Sequence, residues 1–272
     1  MPGASGLFSI GNPNIAGRRD DLLLIPTGLN ATIADQKEPS RMARGQDDLR
    51  ADIATAARAF SLLNYVHAFG HFSVRLENSL LITPTRPPLA VQRAGDVLEV
   101  DFEGHVTAGE PAARPIEVFL HIGIYEQRPA IRAICRTHAP FASAWPANGE
   151  APAIQHGFGG LAGEIALYNG FDLIHNGELG KSAAKHLGNA DALILRGNGV
   201  LTVGRTLGEA AARMWGLEER CAQPFRQGYR QVPLGPGELE ARARWYPAEA
   251  ERIWTWLKYL GASSLAREGA AS

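Results

Sequence analysis

Two short apolar runs on either side of a glycine-flanked asparagine are the feature that most constrains the fold of this chain. Ala192–Leu195 and Val200–Val203 consist of residues that favour buried strands, and Gly197-Asn198-Gly199 separates them. The two runs are therefore predicted to pair back on each other in the interior. Helical patterns before and after them predict helices around a central, mostly antiparallel sheet with short loops.

The longest helical patterns flank this pair of strands. From Asp48 to Phe69 apolar residues recur every three or four positions, and Gly70 provides a stop. Pro115 predicts the start of a helix that runs to Tyr125. Thr206 and Glu209 form a capping-box pattern before a further long helix. Further strands are predicted at 72–76, 80–83, 97–100, 105–107 and 130–135, and short helices at 141–145 and 182–187. Periodicity alone thus predicts an α/β or α+β protein.

Composition divides the chain into three regions. Residues 1–40 are rich in Gly, Pro, Asn and Asp without a sustained period, which predicts an N-terminal extension. Residues 41–226 form the predicted folded domain. Residues 227–272 begin as a Gly/Pro-rich linker and continue as a helical tail with an apolar stripe from Ile253 to Leu260. The chain has 272 residues and is 45% hydrophobic, which is enough for a large core.

Charge and hydropathy argue against two classes of partner. The formal net charge is -1 and no extended basic run occurs, so we predict no nucleic-acid partner. No apolar stretch approaches the roughly 18 residues that a membrane-spanning helix needs, so we predict no membrane partner. The only two cysteines are Cys135 and Cys221. Such low cysteine usage favours a cytoplasmic protein with free thiols over a disulfide-stabilised one.

Six segments between about residues 48 and 225 follow the order that is typical of the class II aldolase/adducin family. They are residues 70–75, 82–84, 94–97, 114–125, 135–140 and the loop around Asn198. The chain resembles that family on these segments. The resemblance implies a class II aldolase-like fold, with a nine-stranded, mostly antiparallel sheet between layers of helices. It also implies a homotetramer with active sites at subunit interfaces.

The resemblance also implies a chemistry. The enzymes of the family cleave a carbon–carbon bond next to a carbonyl group, with a divalent metal on three histidines and a glutamate as general acid/base. Glu117 matches that glutamate, and His121 follows it by one helical turn, where it would orient the carboxylate or contact substrate. The structural alternatives are a solvated first-turn glutamate and a packed, hydrogen-bonded histidine.

The segments that hold the metal in the family are altered in this chain. Arg136 and Asn198 replace two of the three histidines, and only His138 is retained. A guanidinium has no lone pair and repels a cation, while an amide is a weak ligand for zinc-like ions. Either a zinc, manganese or iron ion is recruited through His138 with His156, Glu117 or Asn198, or the metal is absent. In the second case Arg136 would clamp a carboxylate and stabilise enolate-like charge. Its structural alternative is an ion-pair role.

The positions of the phosphate pocket of sugar-phosphate aldolases are also altered. His71, Arg86 and Pro115-Ile116 stand where that pocket has small donors. Arg86 and His71 suit a carboxylate or phenolate better than a phosphate held by backbone amides. Ser73 and Thr83 would add neutral hydrogen bonds or serve as sheet residues. These variants resemble the decarboxylase-like branch of the family.

The sequence therefore predicts a carbon–carbon lyase that acts on a small carboxylated molecule. The favoured reaction is decarboxylation of a hydroxyaryl or keto acid through an enolate- or phenolate-like intermediate, in specialised metabolism. The alternatives are a non-catalytic adducin-like binding or assembly module, a metal-dependent aldolase, and an iron-dependent oxidative decarboxylase of the same fold. The candidate residues are Glu117, His121 and Arg136 for catalysis, His71, Ser73, Thr83, Arg86 and Asn198 for substrate binding, and His138, with His156 or Asn198, for a metal.

Overall fold

The strand pair around Asn198 is present in the computed structural model of the protein. The structure describes residues 45–145, 150–228 and 232–269, with side chains through residue 264. The predicted extension over residues 1–40 therefore lies outside the described residues. Gly197 and Gly199 adopt φ angles of 67° and 77°, which glycine tolerates because it has no Cβ. The backbone N–H of Asn198 donates to the carbonyl of Leu195 at 3.0 Å and closes the turn.

A single mixed sheet forms the centre of the described residues. Its strands are β1 His71–Arg75, β2 Ser79–Ile82, β3 Leu98–Asp101, β4 Val106–Ala108, β5 Ala133–Thr137, β6 Ile165–Tyr168, β7 Ala192–Leu195 and β8 Val200–Gly204. Their spatial order is β4-β3-β2-β1-β5-β8-β7-β6. All neighbours are antiparallel except β6 and β7. The predicted fold class is confirmed, with eight strands in the described residues where the resemblance implies nine.

Helices cover both faces of this sheet. They are α1 Gln46–Leu62, α2 Val118–Gln127, α3 Pro140–Ser143, α4 Gly177–Leu187, α5 Leu207–Arg226, α6 Pro236–Ala243 and α7 Tyr246–Gly269. The helices α2 and α4 pack together over one hydrophobic core, and α1, α5 and α7 contribute to the other. The predicted three layers are therefore present.

Strand alternation decides which side chains meet α2. Phe72 and Cys135 belong to the core under α1 and α5, whereas Ile134 belongs to the core under α2. Since successive strand residues point to opposite faces, His71 and Arg136 project to the α2 side. The sheet thereby presents polar side chains from β1 and β5 to the start of α2.

Three predicted helix boundaries were wrong, and one of them is the start of the helix predicted over 182–187, which begins at Gly177. The first helix ends at Leu62 rather than Phe69, and Asn64 then adopts a φ of 59°. Asparagine, like glycine, ends helices in this left-handed conformation. The second begins at Val118 rather than Pro115, because the residues between them form a turn.

Two other elements differ from the sequence interpretation. Strand β6 was not predicted, and residues 157–162, for which the sequence predicted no element, form a 3₁₀ helix. At the predicted capping box, the hydroxyl of Thr206 accepts the N–H of Glu209, but the Glu209 carboxylate accepts from the N–H of Arg205. Only half of the reciprocal box is therefore formed.

The C-terminal helix α7 packs against α1 and α5. Its predicted apolar stripe is present, with Leu257 fully buried and Ile253 in the same core. The guanidinium of Arg58 on α1 donates from Nε to the carbonyl of Gly261 at 2.8 Å. None of the helices in the described part of the chain has the length and apolar character needed to cross a membrane.

Candidate active site

The sheet register and the turn before α2 bring the candidate residues together. His71 on β1 and Arg136 on β5 are direct cross-strand partners. Glu117 is the residue immediately before α2, and its side chain makes no capping bond to that helix. It contacts the two strand residues instead, so the cluster joins the sheet to the helix above it.

Arg136, Glu117 and Asn198 form a closed triangle. Nη2 of Arg136 lies 3.1 Å from Oε2 of Glu117 and donates to Oδ1 of Asn198 at 3.0 Å. Nδ2 of Asn198 donates to Oε1 of Glu117 at 2.9 Å. Arg136 is only 1% exposed and Glu117 only 5%. The alternative of a solvated glutamate is therefore wrong, and the charges of the buried pair compensate each other.

One nitrogen of the Arg136 guanidinium makes no hydrogen bond within the described residues. Its Nη1 donates to the carbonyl of Thr137 at 2.8 Å. Its Nε is buried and has no hydrogen-bond partner within the described residues. Because buried donors are nearly always satisfied, this unpaired N–H is an unusual feature of the site.

The Glu117 carboxyl group is held in its ionised form. Burial acts to raise its pKa, but the nearby ring of His71, the charge of Arg136 and the amide of Asn198 together hold the pKa well below its usual range. The backbone N–H of Ile174 adds a long contact of 3.4 Å. At neutral pH the carboxylate carries no proton of its own, so it can donate a proton only after it has accepted one.

Behind Glu117, neutral side chains form a buried chain. Nε2 of His71 lies 3.7 Å from Oε2 of Glu117, and Nδ1 of His71 lies 2.8 Å from Nε2 of His121. The hydroxyl of Ser73 lies 2.7 Å from Nδ1 of His121 and 2.7 Å from the hydroxyl of Tyr125. Burial lowers the pKa of both histidines, so both are neutral at pH 7.

His121 does not meet Glu117 as expected from the helical turn between them. It is fully buried and hydrogen-bonded to His71 and Ser73, which matches the alternative of a packed histidine. Tyr125 was missed as part of this network. Helical spacing from His121 to Tyr125, one turn further on, was the available signal.

His138 lies at the partly buried edge of the cluster. Its backbone N–H donates to the carbonyl of Tyr65 at 2.9 Å, and its ring makes no hydrogen bond within the described residues. Burial, reinforced by the charge of Arg136, lowers its pKa to about 4. A Cβ on Gly199 would lie 3.0 Å from Nδ1 of His138 and 2.5 Å from Nη1 of Arg136, so the turn approaches both side chains closely.

The residues at this site do not fit a divalent metal. The positive Nη2 of Arg136 lies between the oxygen atoms of Glu117 and Asn198 that would otherwise face an ion. His156 is elsewhere: its Nε2 lies 3.3 Å from the carbonyl of Glu219 on α5. Within residues 45–145, 150–228 and 232–269, no group of three or more His, Cys, Asp and Glu is placed to hold an ion. The set of His138, His156 and Glu117 is thus not assembled.

Three other candidates for substrate binding lie apart from Glu117. Ser73 and Thr83 are fully buried, and the Thr83 hydroxyl accepts the backbone N–H of Phe72 at 3.0 Å as a sheet residue does. Arg86 is exposed on a loop that the side chain of Gln92 holds through two carbonyl groups. No hydrogen bond or ion pair joins Arg86 to the cluster within the described residues.

An exposed apolar rim accompanies the polar cluster. Phe69 packs edge-on to His138 with ring centroids 6.2 Å apart, and Phe171 lies over Gly197. These two rings are 73% and 76% exposed. Sequence reasoning missed both, since Phe69 was placed at the end of a predicted helix and Phe171 belongs to no periodic pattern.

Comparisons with known proteins agree with this architecture. The family model of the Class II Aldolase and Adducin N-terminal domain matches residues 51–224. A 5-methylthioribulose-1-phosphate/5-deoxyribulose-1-phosphate aldolase of Rhodospirillum rubrum is 29% identical over 180 residues, which are 65% of this chain and 80% of the relative. A 3,4-dihydroxyphthalate decarboxylase of Rhodococcus jostii is 27% identical over 187 residues, which are 62% of this chain and 76% of the relative.

The solved structures give the same result for the fold. An L-fuculose 1-phosphate aldolase from Glaciozyma antarctica superposes with a TM-score of 0.69, over 80% of this chain and 92% of that chain. The sequence identity is 22%, so the likeness concerns the fold alone.

Proposed function

This chain belongs to the class II aldolase and adducin family, and from that premise we propose that it is a carbon–carbon lyase acting on a small carboxylated molecule. The favoured reaction is decarboxylation of a hydroxyaryl or keto acid. The observation that carries the proposal is the buried guanidinium of Arg136, in contact with an ionised Glu117. A fixed positive charge at this point does electrostatic work that the resemblance assigns to a metal ion.

For a hydroxyaryl acid, we propose that Glu117 moves one proton. The ionised carboxylate takes the proton of the substrate hydroxyl group and returns it to the ring carbon that bears the carboxylate. The carbon–carbon bond then breaks, its electron pair returns to the ring and its oxygen, and carbon dioxide leaves. The anionic oxygen takes a proton from solvent. Arg136 stabilises the negative charge on that oxygen, and neither an oxidant nor a reductant is consumed.

The accessible residues support a planar, partly apolar substrate. Asn198 and His138 are only partly buried, so we propose that the substrate approaches between them, towards the guanidinium of Arg136. The rings of Phe69 and Phe171 flank this approach. Their exposed faces suit an aromatic ring better than a sugar. The relative named 3,4-dihydroxyphthalate decarboxylase favours the same choice.

Carbon dioxide release from a panel of hydroxyaryl and 2-keto acids tests this function. We expect turnover of at least one acid, and we expect it to survive treatment of the purified protein with a chelator. The Arg136→Lys variant should lose most of this activity, because lysine cannot keep the same fork of donors. Arg213→Lys, at an ion pair elsewhere, serves as the matched control. Turnover that requires added zinc, manganese or iron would favour the metal-dependent alternatives.

The adducin-like binding or assembly module is the second candidate. The ion pair of Arg136 and Glu117 favours it, because the two charges already compensate each other. If this candidate is right, no acid in the panel is turned over. A homo-oligomer is proposed in both cases, since the resemblance implies one and a second subunit would cover the exposed Phe69 and Phe171. Sedimentation or light scattering measures the oligomer, and cell fractionation tests the predicted cytoplasmic location.

A further inference from the structure

We propose that Tyr125, Ser73 and His121 are positioning residues that fix the tautomer of His71, so that its Nε2 carries the proton and faces Glu117. The role in catalysis rests on the proposed function of Glu117 as a proton carrier. The tautomer itself is a property of the resting protein. The two can therefore be tested separately.

The direction of every hydrogen bond follows from the charge at one end. An ionised carboxylate only accepts hydrogen bonds. The distance of 3.7 Å from His71 Nε2 to Glu117 Oε2 is longer than a standard hydrogen bond. The contact is nevertheless close enough for the carboxylate to favour an N–H over a lone pair at that position. In a neutral ring, a proton on Nε2 leaves Nδ1 of His71 as an acceptor.

The same reasoning gives the direction of the other hydrogen bonds in this buried chain. Since Nδ1 of His71 accepts, Nε2 of His121 must donate across the 2.8 Å contact. Nδ1 of His121 then accepts the hydroxyl proton of Ser73 at 2.7 Å. The oxygen of Ser73 in turn accepts the hydroxyl proton of Tyr125 at 2.7 Å. Each group donates once in the direction of Glu117, and no donor meets a donor.

Burial makes this arrangement exclusive. His121, Ser73 and Tyr125 are 0% exposed and His71 is 8% exposed, so water cannot replace a mismatched link. Reversing one histidine alone would bring two lone pairs or two N–H groups face to face in a buried site. Reversing the whole chain would set a lone pair of His71 against the Glu117 carboxylate and leave the Tyr125 hydroxyl proton without an acceptor among the described residues. We therefore expect one tautomer to exceed the other by at least tenfold at both histidines.

This chain of hydrogen bonds affects the Glu117 carboxylate, which is the proton carrier of the proposed function. An N–H of His71 directed at Glu117 keeps the carboxylate ionised and limits its rotation. A lone pair in the same place would repel it. Within the described residues, the hydrogen bonds of Ser73, His121 and Tyr125 lead to the cluster only through His71, so we expect their main effect on turnover to pass through this ring.

Nitrogen NMR of protein labelled with ¹⁵N-histidine tests the inference directly, because the shift separates protonated from unprotonated ring nitrogens. His71→Asn and His121→Asn variants assign the two rings. We expect the proton on Nε2 in both. A wild-type protein with the proton on Nδ1 of either ring would overturn the proposal, whether or not any substrate is turned over.

Variants at Ser73 add a second test. Ser73→Ala removes the donor to His121, so we expect the tautomer preference at His71 to fall at least fivefold. Ser73→Thr keeps the hydroxyl and should restore the preference. Ser79→Ala, the same change at another buried sheet serine, should leave both rings unchanged. An unchanged His71 in a folded Ser73→Ala protein would refute the positioning role.

Turnover separates this inference from the proposed function. If an active acid is found, Ser73→Ala should lower kcat at least tenfold with little change in KM, and Ser73→Thr should recover it. A protein that shows the expected tautomers but releases no carbon dioxide would contradict the proposed function alone. If Ser73→Ala and Ser73→Thr both raise KM as well as lower kcat, the role of Ser73 is merely structural and the inference is contradicted.

Discussion

Two glutamates of this protein are almost equally buried, yet their surroundings act on them in opposite directions. Glu117 is 5% exposed and Glu218 is 4% exposed. Glu218 on α5 accepts the backbone N–H groups of Phe141 and Ala142, at 2.9 and 2.8 Å, where α3 begins. Burial raises its pKa, and these two donors only partly offset the effect. The pKa of Glu117 is instead lowered, although burial acts on it in the same sense.

The difference shows that partners, rather than burial, separate the two roles. Glu218 is held by backbone donors that cannot leave, and its carboxylate caps a helix. Glu117 is held by Arg136, Asn198 and His71, and a ligand can replace side-chain donors of this kind. A buried carboxylate with side-chain partners and a strongly shifted pKa is a candidate for function. A buried carboxylate that closes a helix end is a candidate for stability.

The largest expected effect comes from a substitution of Arg136, the charged partner of Glu117. Arg136→Met leaves Glu117 as a buried charge without its compensating partner. We expect the free energy of unfolding to fall by about 3–5 kcal/mol. Urea denaturation at pH 7 measures it. The double variant with Glu117→Gln should recover part of the loss. Arg213→Met, which breaks a more exposed ion pair, should cost about 1 kcal/mol, and an equal loss in the two single variants would contradict the prediction.

The next effect is kinetic. Glu117→Gln keeps the size of the side chain but removes the proton carrier, so we expect carbon dioxide release to fall about 100-fold or more. Glu218→Gln is the matched control and should keep kcat within about twofold, because its carboxylate only caps α3. Initial rates on the most active acid of the panel provide the measurement. Full turnover in the Glu117→Gln protein would remove this residue from the proposed mechanism.

A substitution in the turn next to Arg136 tests the packing around the site without altering any charge. Gly199→Ala puts a Cβ 2.4 Å from the carbonyl of Thr137 at a φ of 77°. We expect a loss of about 2 kcal/mol in the free energy of unfolding, from the left-handed conformation and the clash together. Gly95→Ala, with nothing within 4 Å of the new atom, should change it by less than about 0.5 kcal/mol. Equal thermal melts of the two variants would count against the close approach of the turn.

The smallest effect is a pH dependence of opposite sign at the two glutamates. The raised pKa of Glu218 means that its protonation favours the folded state, so this contribution appears as pH falls from 7 towards the ordinary value of 4.5. The lowered pKa of Glu117 means that its contribution is present above 4.5 and is lost only below it. Denaturation of the wild type and both Gln variants between pH 7 and pH 3 measures each difference. Parallel curves for the two variants would disprove the contrast.

Local patterns were sufficient to predict most of the fold. The strands on either side of Asn198 and the turn between β1 and β2 depend on residues close in sequence, and they formed as predicted. Strand β6 was missed because Ile165–Tyr168 is short and pairs in parallel with a distant strand. Because β6 and β7 are parallel, no short turn joins them, and the sequence next to β6 therefore shows no hairpin pattern.

The residues of the site could be named from the sequence, but the contacts between them could not be predicted. Arg136 and Glu117 could be named from the sequence, and so could an ion-pair role for Arg136. Which groups would satisfy them depended on the β1–β5 register and on the position of α2. The link from Ser73 to Tyr125, 52 residues apart, requires both. The roles of these residues in catalysis and substrate binding stay predictions.

The contact between α7 and α1 also affects a loop that is distant in sequence. Arg58 donates to the carbonyl of Gly261 on α7 and also to the carbonyl of Gln92, whose side chain holds the loop that carries Arg86. A version of the chain shortened before Gly261 would leave a buried guanidinium without one acceptor. Trimming the carboxyl terminus to improve expression should therefore disturb a loop that lies about 170 residues upstream in the sequence.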